Sequence, residues 1–255
     1  MPTFAISRSA SSNHAHGRRF HPNPVRRTTS RSEAPARWRP IKFNEGAVPH
    51  SLPFTSCYVY APHGAGEIAA ASRRLCVRVK NIDPLWLPHY AAFVLQTSFR
   101  DARLREVFAA DAVLVPVPGS VPARELHWGA LHLAAALESL GLGARVWPGL
   151  RREYAVRKSA TAPSAARPTV REHYESFSVL VPPRPIPRIL LIDDVITKGR
   201  TALAAAARLQ TVLPCADIRT FALIRTLGFA DHLERLTSCC HGIVRWTGGD
   251  ARRDP

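Results

Sequence analysis

Two spacings of apolar positions alternate along the chain, and their order predicts an α/β unit. GEIAAASRRLCVRVKN (66–81) places Ile68, Ala71, Leu75 and Val79 three to four residues apart, the period of a helix. PLWLPHYAAFVLQTSF (84–99) continues as helix after Pro88. ARELHWGALHLAAALESLG (123–141) shows the clearest helical face, built from Leu126, Ala130, Leu133, Leu137 and Leu140, with Gly141 to end it. RTALAAAARLQ (200–210) predicts another helix. Strands are expected at 51–62, 112–119, 143–149, 188–192, 216–226 and 239–249. The short unbroken apolar run AVLVPVPG (112–119) suits a buried parallel strand that stops where two prolines remove backbone donors. Strands separated by helices imply an α/β fold with a mostly parallel central sheet flanked by helices.

Two stretches lack such a pattern. Residues 1–50 are rich in Ser, Arg, Pro and His and are expected to form a disordered basic tail ahead of a domain at 51–255. Residues 150–187 are polar, with many arginines and prolines. A segment of that length inside a domain is either functional or disordered.

Charge changes the picture only modestly. The formal charge is +16, which first suggests a polyanionic partner. Lysines stand only at 42, 80, 158 and 198, so 35 − 4 = 31 of the basic residues are arginines, a bias that GC-rich coding produces. The first 50 residues carry nine basic residues against Glu33 and Glu45, a surplus of 9 − 2 = +7. That tail offers nucleic acid a weak contact, though such tails are more commonly just solvated. No apolar run nears the roughly 20 residues that cross a bilayer, and the N-terminus has no apolar signal core. A soluble cytoplasmic protein without a membrane partner is expected. Cys57, Cys76, Cys215, Cys239 and Cys240 are odd in number and have no CxxC spacing, which argues against a disulfide framework and a four-ligand zinc site.

The chemistry concentrates in ILLIDDVITKGRT (189–201). An apolar strand ends in Asp193 and Asp194, followed by Thr197-Lys198-Gly199-Arg200-Thr201 at the start of a helix. Ligands of open parallel sheets sit at the carboxyl ends of the strands. Two adjacent acids repel and are costly to bury without partners, so they are expected to face a cleft and hold hydroxyls or a metal-bound ligand. Threonines, a glycine and the free N–H groups of a helix start form an anion nest, aided by the helix dipole and by two basic side chains. Acids for hydroxyls beside a cradle for phosphate suit a sugar phosphate. A Walker B strand would need a GxxxxGK[ST] loop, which is absent, and a receiver domain would need more than the 61 residues that follow Asp194. A capped turn with arginine-neutralised acids is the plain structural alternative.

This stretch closely resembles the phosphoribosyl pyrophosphate (PRPP) signature of type I phosphoribosyltransferases: apolar residues, two acids, two apolar residues, then Thr-x-Gly-x-Thr. The resemblance implies that Asp193 and Asp194 hold the ribose hydroxyls and serve as the catalytic acids. It also implies that the run Val195, Ile196, Thr197, Lys198, Gly199, Arg200 and Thr201 completes the PRPP site around the 5-phosphate. LVPVPGS (114–120) resembles the pyrophosphate loop of the competence-associated ComF-like branch, which gives Val117, Pro118, Gly119 and Ser120 that role. LCVRVK (75–80) faintly resembles the segment preceding that loop, and 157–177 takes the place of the branch's hood. The resemblance covers about residues 70–228. Two features depart from it: the cysteine-rich zinc module often found at the N-terminus of that branch is absent, and Lys198 stands where a second threonine is common.

The implied reaction displaces pyrophosphate from C1 of PRPP through an oxocarbenium-like state, with Mg²⁺ bound mainly through PRPP. A hood or lid at about 150–187 would place Arg157 and Lys158 over the diphosphate, ordinary surface charge being the alternative. N–H groups of Gly119 and Ser120 are its expected donors, since prolines have none. The acceptor is expected to be a small, nucleobase-like molecule. Thr197 stands where 6-oxopurine enzymes carry an aspartate, which argues against a hypoxanthine-guanine substrate. Tyr154, His173, Tyr174 and Phe177 could stack on a base or pack the hood. A homodimer is implied by the family alone. A non-catalytic PRPP-binding domain, tied to DNA uptake or repair, is the competing reading. His127 and His132 lie five apart on a helix and share no face, and His63 in HGAG lacks a GxSxG partner, so hydrolase chemistry is not expected.

Overall fold

Five parallel strands form the centre of the molecule, and their order sets where a ligand can approach. The computed structural model describes residues 38–39, 42–82, 85–122, 128–157, 167–228 and 233–255. In chain order the strands are β1 (Trp38–Arg39), β2 (Ser51–Tyr60), β3 (Val113–Pro116), β4 (Arg145–Val146), β5 (Leu150–Arg152), β6 (Phe177–Leu180), β7 (Arg188–Ile196), β8 (Asp217–Thr226), β9 (Thr237–Trp246) and β10 (Ala251–Asp254). The helices are α1 (Gly66–Lys80), α2 (Leu87–Ser98), α3 (Ala102–Val107), α4 (Gly129–Glu138), α5 (Val170–Ser176) and α6 (Arg200–Gln210).

The large sheet runs β10-β9-β2-β8-β7-β3-β4. Its five strands from β2 to β4 are mutually parallel, and β9 and β10 extend one edge antiparallel. The mostly parallel sheet flanked by helices is therefore the architecture that the apolar runs implied. Alternation along β7 divides the core: Ile189 and Leu191 face a layer containing α6, whereas Leu190 and Ile192 face a layer built by α1 to α4. Burial on both faces explains why β7 is continuously apolar.

α6 is made mostly of alanine because it is enclosed on several sides. Ala202 to Leu209 are all buried, and the helix packs on β7, β6 and α5. Small side chains let these backbones approach closely, while intrinsic helix propensity remains high.

Three expectations need correction. The described residues within 150–187, at 150–157 and 167–187, are not a weakly packed polar loop. They contain β5, β6 and α5, and Leu150, Val170, Tyr174, Phe177 and Val179 reach zero exposure within the α6-side core. β1, β6 and β5 form a separate three-stranded antiparallel sheet. Packed structure also begins before residue 50, because Val48 is buried and Phe43 meets Tyr174 edge-on at 5.2 Å. Finally, Asp193 and Asp194 do not open a loop. β7 continues to Ile196, with Asp193 opposite Ala222 and Val195 opposite Ile224 on β8. The basic tail and its nucleic-acid reading fall mostly on residues 1–37 and 40–41, outside the described residues. No described helix is long and apolar enough to cross a membrane.

Candidate functional site

A switch in strand order brings the two sequence motifs together. β3 connects through α4 to β4 on one side, whereas β7 connects through α6 to its other neighbour, β8. α4 and α6 cover opposite faces of the sheet, so the crevice beyond the carboxyl ends of β3 and β7 is left open between them. Residues 117–120 leave β3 there, and Asp193 and Asp194 stand just before the end of β7 at Ile196. Val117 N–H donates to Ile192 O at 2.9 Å, which ties the two strand ends directly.

The acids do not share one environment. Asp194 pairs with Lys80 at the end of α1, at 3.2 Å. Asp193 is held well above the usual carboxylate range, first by burial and then by the charge of Asp194, with Lys80 pulling the other way. For Lys80, burial opposes the charge, but the attraction of Asp194 leaves its pKa raised. Each acid also turns back on the chain: Asp194 N–H donates to Asp193 Oδ1 at 2.8 Å, and Val195 N–H donates to Asp194 Oδ1 at 2.7 Å. Strict alternation ends here, because Ile196 joins the same layer as Ile189 and Leu191.

The start of α6 is shaped by Gly199 and held by two distant residues. Gly199 is the N-cap, in the left-handed region at φ 86°. A Cβ there would lie 2.6 Å from both methyl groups of Val244 on β9. Arg253 on β10 donates to Ile196 O at 2.8 Å and fixes the entry to the loop. Asp250, in the turn between β9 and β10, takes both basic side chains of the motif: Lys198 Nζ lies 3.3 Å from Oδ2, and Arg200 pairs with both carboxylate oxygens. Arg200 also donates to Arg167 O and Pro168 O at 3.2 Å. Its guanidinium ties the hood segment to the turn rather than serving as a loose phosphate ligand. The anion cradle is therefore mainly the N–H groups of the helix start, with Lys198 the more exposed of the two cations.

Across the crevice, the 117–120 loop turns its carbonyls inward. Trp128 donates to Val117 O at 2.9 Å, Val156 N–H donates to Ser120 O at 2.8 Å, and Arg152 donates to Gly119 O and Pro118 O. With the carbonyls occupied, the N–H groups of Gly119 and Ser120 meet no acceptor among the described residues. A Cβ on Gly119 would have open space around it. Arg152 is 4% exposed, and burial lowers its pKa to about 10. Its guanidinium stacks over Phe177 at 4.3 Å and approaches His173 Nδ1 at 3.4 Å. His173 reaches on to Thr201 Oγ1 at 3.4 Å, and burial followed by two nearby arginines lowers its pKa to about 3. One chain of side chains thus joins the 117–120 loop, α5 and the start of α6.

The remaining expected residues divide clearly. His173, Tyr174 and Phe177 are buried in the hood packing, which removes them as stacking surfaces for a base. Tyr154 is 51% exposed and lines a cavity of about 470 Å³ with Arg157, Arg167 and Glu172. A second cavity of about 330 Å³ borders the loop at Pro118, Trp128 and Arg152. Neither cavity is lined by the acids, so the site is defined by strand and helix ends. Val195 and Ile196 turn their side chains to the core; the open groups of this segment are backbone ones. Lys158 and His127 lie outside the described residues. Lys80, Arg152, Asp250 and Arg253 were not expected from sequence. Only Lys80 carried a signal, as one of four lysines and at the end of a helix facing the sheet.

Compared with known proteins, the sequence matches no family model and no curated protein. Among solved structures, the chain is similar to adenine phosphoribosyltransferase from Leishmania donovani, with 15% identity over 71% of this chain and 84% of that one and a TM-score of 0.30. A likeness this distant adds nothing to the site, which stands on its own strand order and hydrogen bonds.

Proposed function

We propose that the protein binds PRPP and transfers its 5-phosphoribosyl group to a small, nucleobase-like acceptor, releasing pyrophosphate. The observation that supports this most strongly is the meeting, at one crevice, of two acids and two donor sets that have no acceptor among the described residues, the N–H groups of Gly119 and Ser120 and the N-terminus of α6. PRPP presents the matching groups: a diphosphate, two ribose hydroxyls and a 5-phosphate.

In this reading Asp193 and Asp194 accept hydrogen bonds from the ribose hydroxyls, and the first turn of α6 holds the 5-phosphate. The bond from C1 to the diphosphate oxygen breaks as the acceptor nitrogen approaches, and the electron pair leaves with pyrophosphate. Gly119 and Ser120 donate to that departing charge from a loop that Arg152 and Trp128 hold rigid, so little reorganisation is needed. Arg157 approaches from the hood. The carboxylates and the ligand's own oxygens are a donor set suited to Mg²⁺, which when bound neutralises diphosphate charge. The charge on Asp194 also disfavours a negative acceptor beside it, which favours neutral bases.

Screening PRPP and Mg²⁺ against a panel of nucleobases tests the transferase reading, with pyrophosphate release as the signal. Release with at least one base is expected. PRPP binding without release from any base would leave only the non-catalytic reading.

The loop makes a separate prediction. Gly119→Ala should melt within about 0.5 kcal/mol of the parent, since the new methyl meets open space and the backbone is not left-handed. It should nevertheless reduce pyrophosphate release by roughly tenfold or more, because the methyl occupies the space in front of the donors. Ribose 5-phosphate binding should be unchanged. Equal loss of ribose 5-phosphate binding would remove the loop from this role.

A further inference from the structure

Cys57, Asp101, Cys239 and His241 are scattered through the sequence, yet the fold gathers them on the side of the sheet covered by α1 to α4. Among the described residues, Asp101, Cys239 and His241 form one group whose donor atoms all lie within 4.8 Å of one another. Cys239 and His241 are two apart on β9 and therefore share a face. Cys57, 1% exposed on β2, is a neighbour of Cys239. Asp101 comes from the N-cap of α3.

Each polar ligand is held by one atom and presents the other. Asp101 Oδ1 accepts from Leu104 N–H at 2.9 Å, which leaves Oδ2 at 2.9 Å from His241 Nε2. His241 Nδ1 lies 3.0 Å from the hydroxyl of Thr55, its direct cross-strand partner, which is 3% exposed. Without a cation, Nε2–H donates to Asp101 Oδ2; with one bound, Nδ1–H donating to the Thr55 hydroxyl frees the Nε2 lone pair for the metal. Metal-binding histidines are commonly oriented in this way through the second ring nitrogen. Cys239 Sγ lies 3.6 Å from His241 Nε2. Bond lengths of about 2.3 Å for Zn–S and about 2.0–2.1 Å for Zn–N, at a tetrahedral angle, separate sulfur and nitrogen by about 3.5 Å. The carboxylate needs to move back by roughly half an ångström for the same geometry.

We propose that Asp101, Cys239 and His241 bind a thiophilic divalent cation, most fittingly Zn²⁺, with solvent completing the coordination. A sulfur, imidazole and carboxylate set suits zinc over the hard cations. On binding, the Cys239 thiol loses its proton to solvent and coordinates as a thiolate. The site staples two elements, the antiparallel strand β9 and the start of α3. Local sequence spacing concealed it, because Asp101 lies 140 residues from His241. This cluster is distinct from the acids of β7, and its test does not depend on PRPP.

The full-length protein, stripped by a chelator and kept under a phosphine reductant, is titrated with Co²⁺ as a spectroscopic probe. One equivalent should bind with thiolate-to-cobalt charge-transfer absorption, and Zn²⁺ should displace it. Cys239→Ser should abolish most of that absorption and weaken binding by at least tenfold, and Thr55→Val should weaken it by about tenfold. Cys215→Ser, at an exposed cysteine remote in sequence from the cluster, should change neither. In the unmutated chain, stoichiometric Zn²⁺ should slow alkylation of Cys239, located by mass spectrometry, a readout that no folding defect can imitate. Absence of thiolate absorption, its persistence in Cys239→Ser, or alkylation of Cys239 indifferent to Zn²⁺ would each overturn the site.

Discussion

Asp193→Asn is expected to make the chain more stable while removing its grip on PRPP. Burial and the neighbouring charge of Asp194 raise the Asp193 pKa above its ordinary value. A carboxyl whose pKa is higher in the folded state favours folding most when protonated. Its contribution is lost as pH rises from the unfolded value, about pH 4, through the raised one. At neutral pH the raised pKa of Asp193 is therefore a cost to the fold, and an amide removes it. The amide oxygen also preserves the 2.8 Å acceptor for Asp194 N–H. The expected gain is about 1 kcal/mol, or roughly 2–4 °C for a chain of this size. Melting curves across pH should show the advantage near neutrality and its disappearance near about pH 4. A variant that melts below the parent at neutral pH would contradict the electrostatics. One that still binds PRPP at the parental affinity would contradict the assigned role.

Gly199→Ala is expected to be the most damaging single change in the site. A residue with a Cβ at φ 86° costs about 1–2 kcal/mol, and the clash with both methyls of Val244 adds roughly 1–3 kcal/mol. The sum is of order 2–5 kcal/mol, large against the typical margin of about 5–15 kcal/mol. Gly119→Ala is its internal control, having the same chemical change with neither penalty. Denaturant midpoints of the two variants should separate widely. Similar midpoints would mean that the start of α6 relaxes freely and is not the rigid cradle described above.

The sheet and the acid pair were legible because their signals are local. Burial on both faces makes β7 an unbroken apolar run, and a charged pair at its end stands out. The alternating spacings likewise placed α1, α2, α4 and α6. The hood was harder to see, since its buried residues Leu150, Val170, Tyr174, Phe177 and Val179 are dispersed among arginines and prolines and meet only after β6 pairs with β5. The residues that hold the site were hidden for a related reason. Asp250 lies 50 residues from Arg200, Arg152 lies 33 from Gly119, and Lys80 lies 114 from Asp194. No periodicity records a contact made by tertiary packing. The basic side chains of the motif illustrate the opposite error. Lys198 and Arg200 look like phosphate ligands in sequence, yet both turn to Asp250.

The central claim is that one ligand spans the acids, the α6 start and the 117–120 loop. Calorimetric titration of the full chain with PRPP and Mg²⁺, repeated in the presence of ribose 5-phosphate and of pyrophosphate separately, tests it most directly. Saturation at one PRPP per chain, with each half-ligand competing and Asp194→Asn suppressing the heat, is the expected result. Absence of saturable PRPP binding, or PRPP binding that ribose 5-phosphate does not displace, would contradict it.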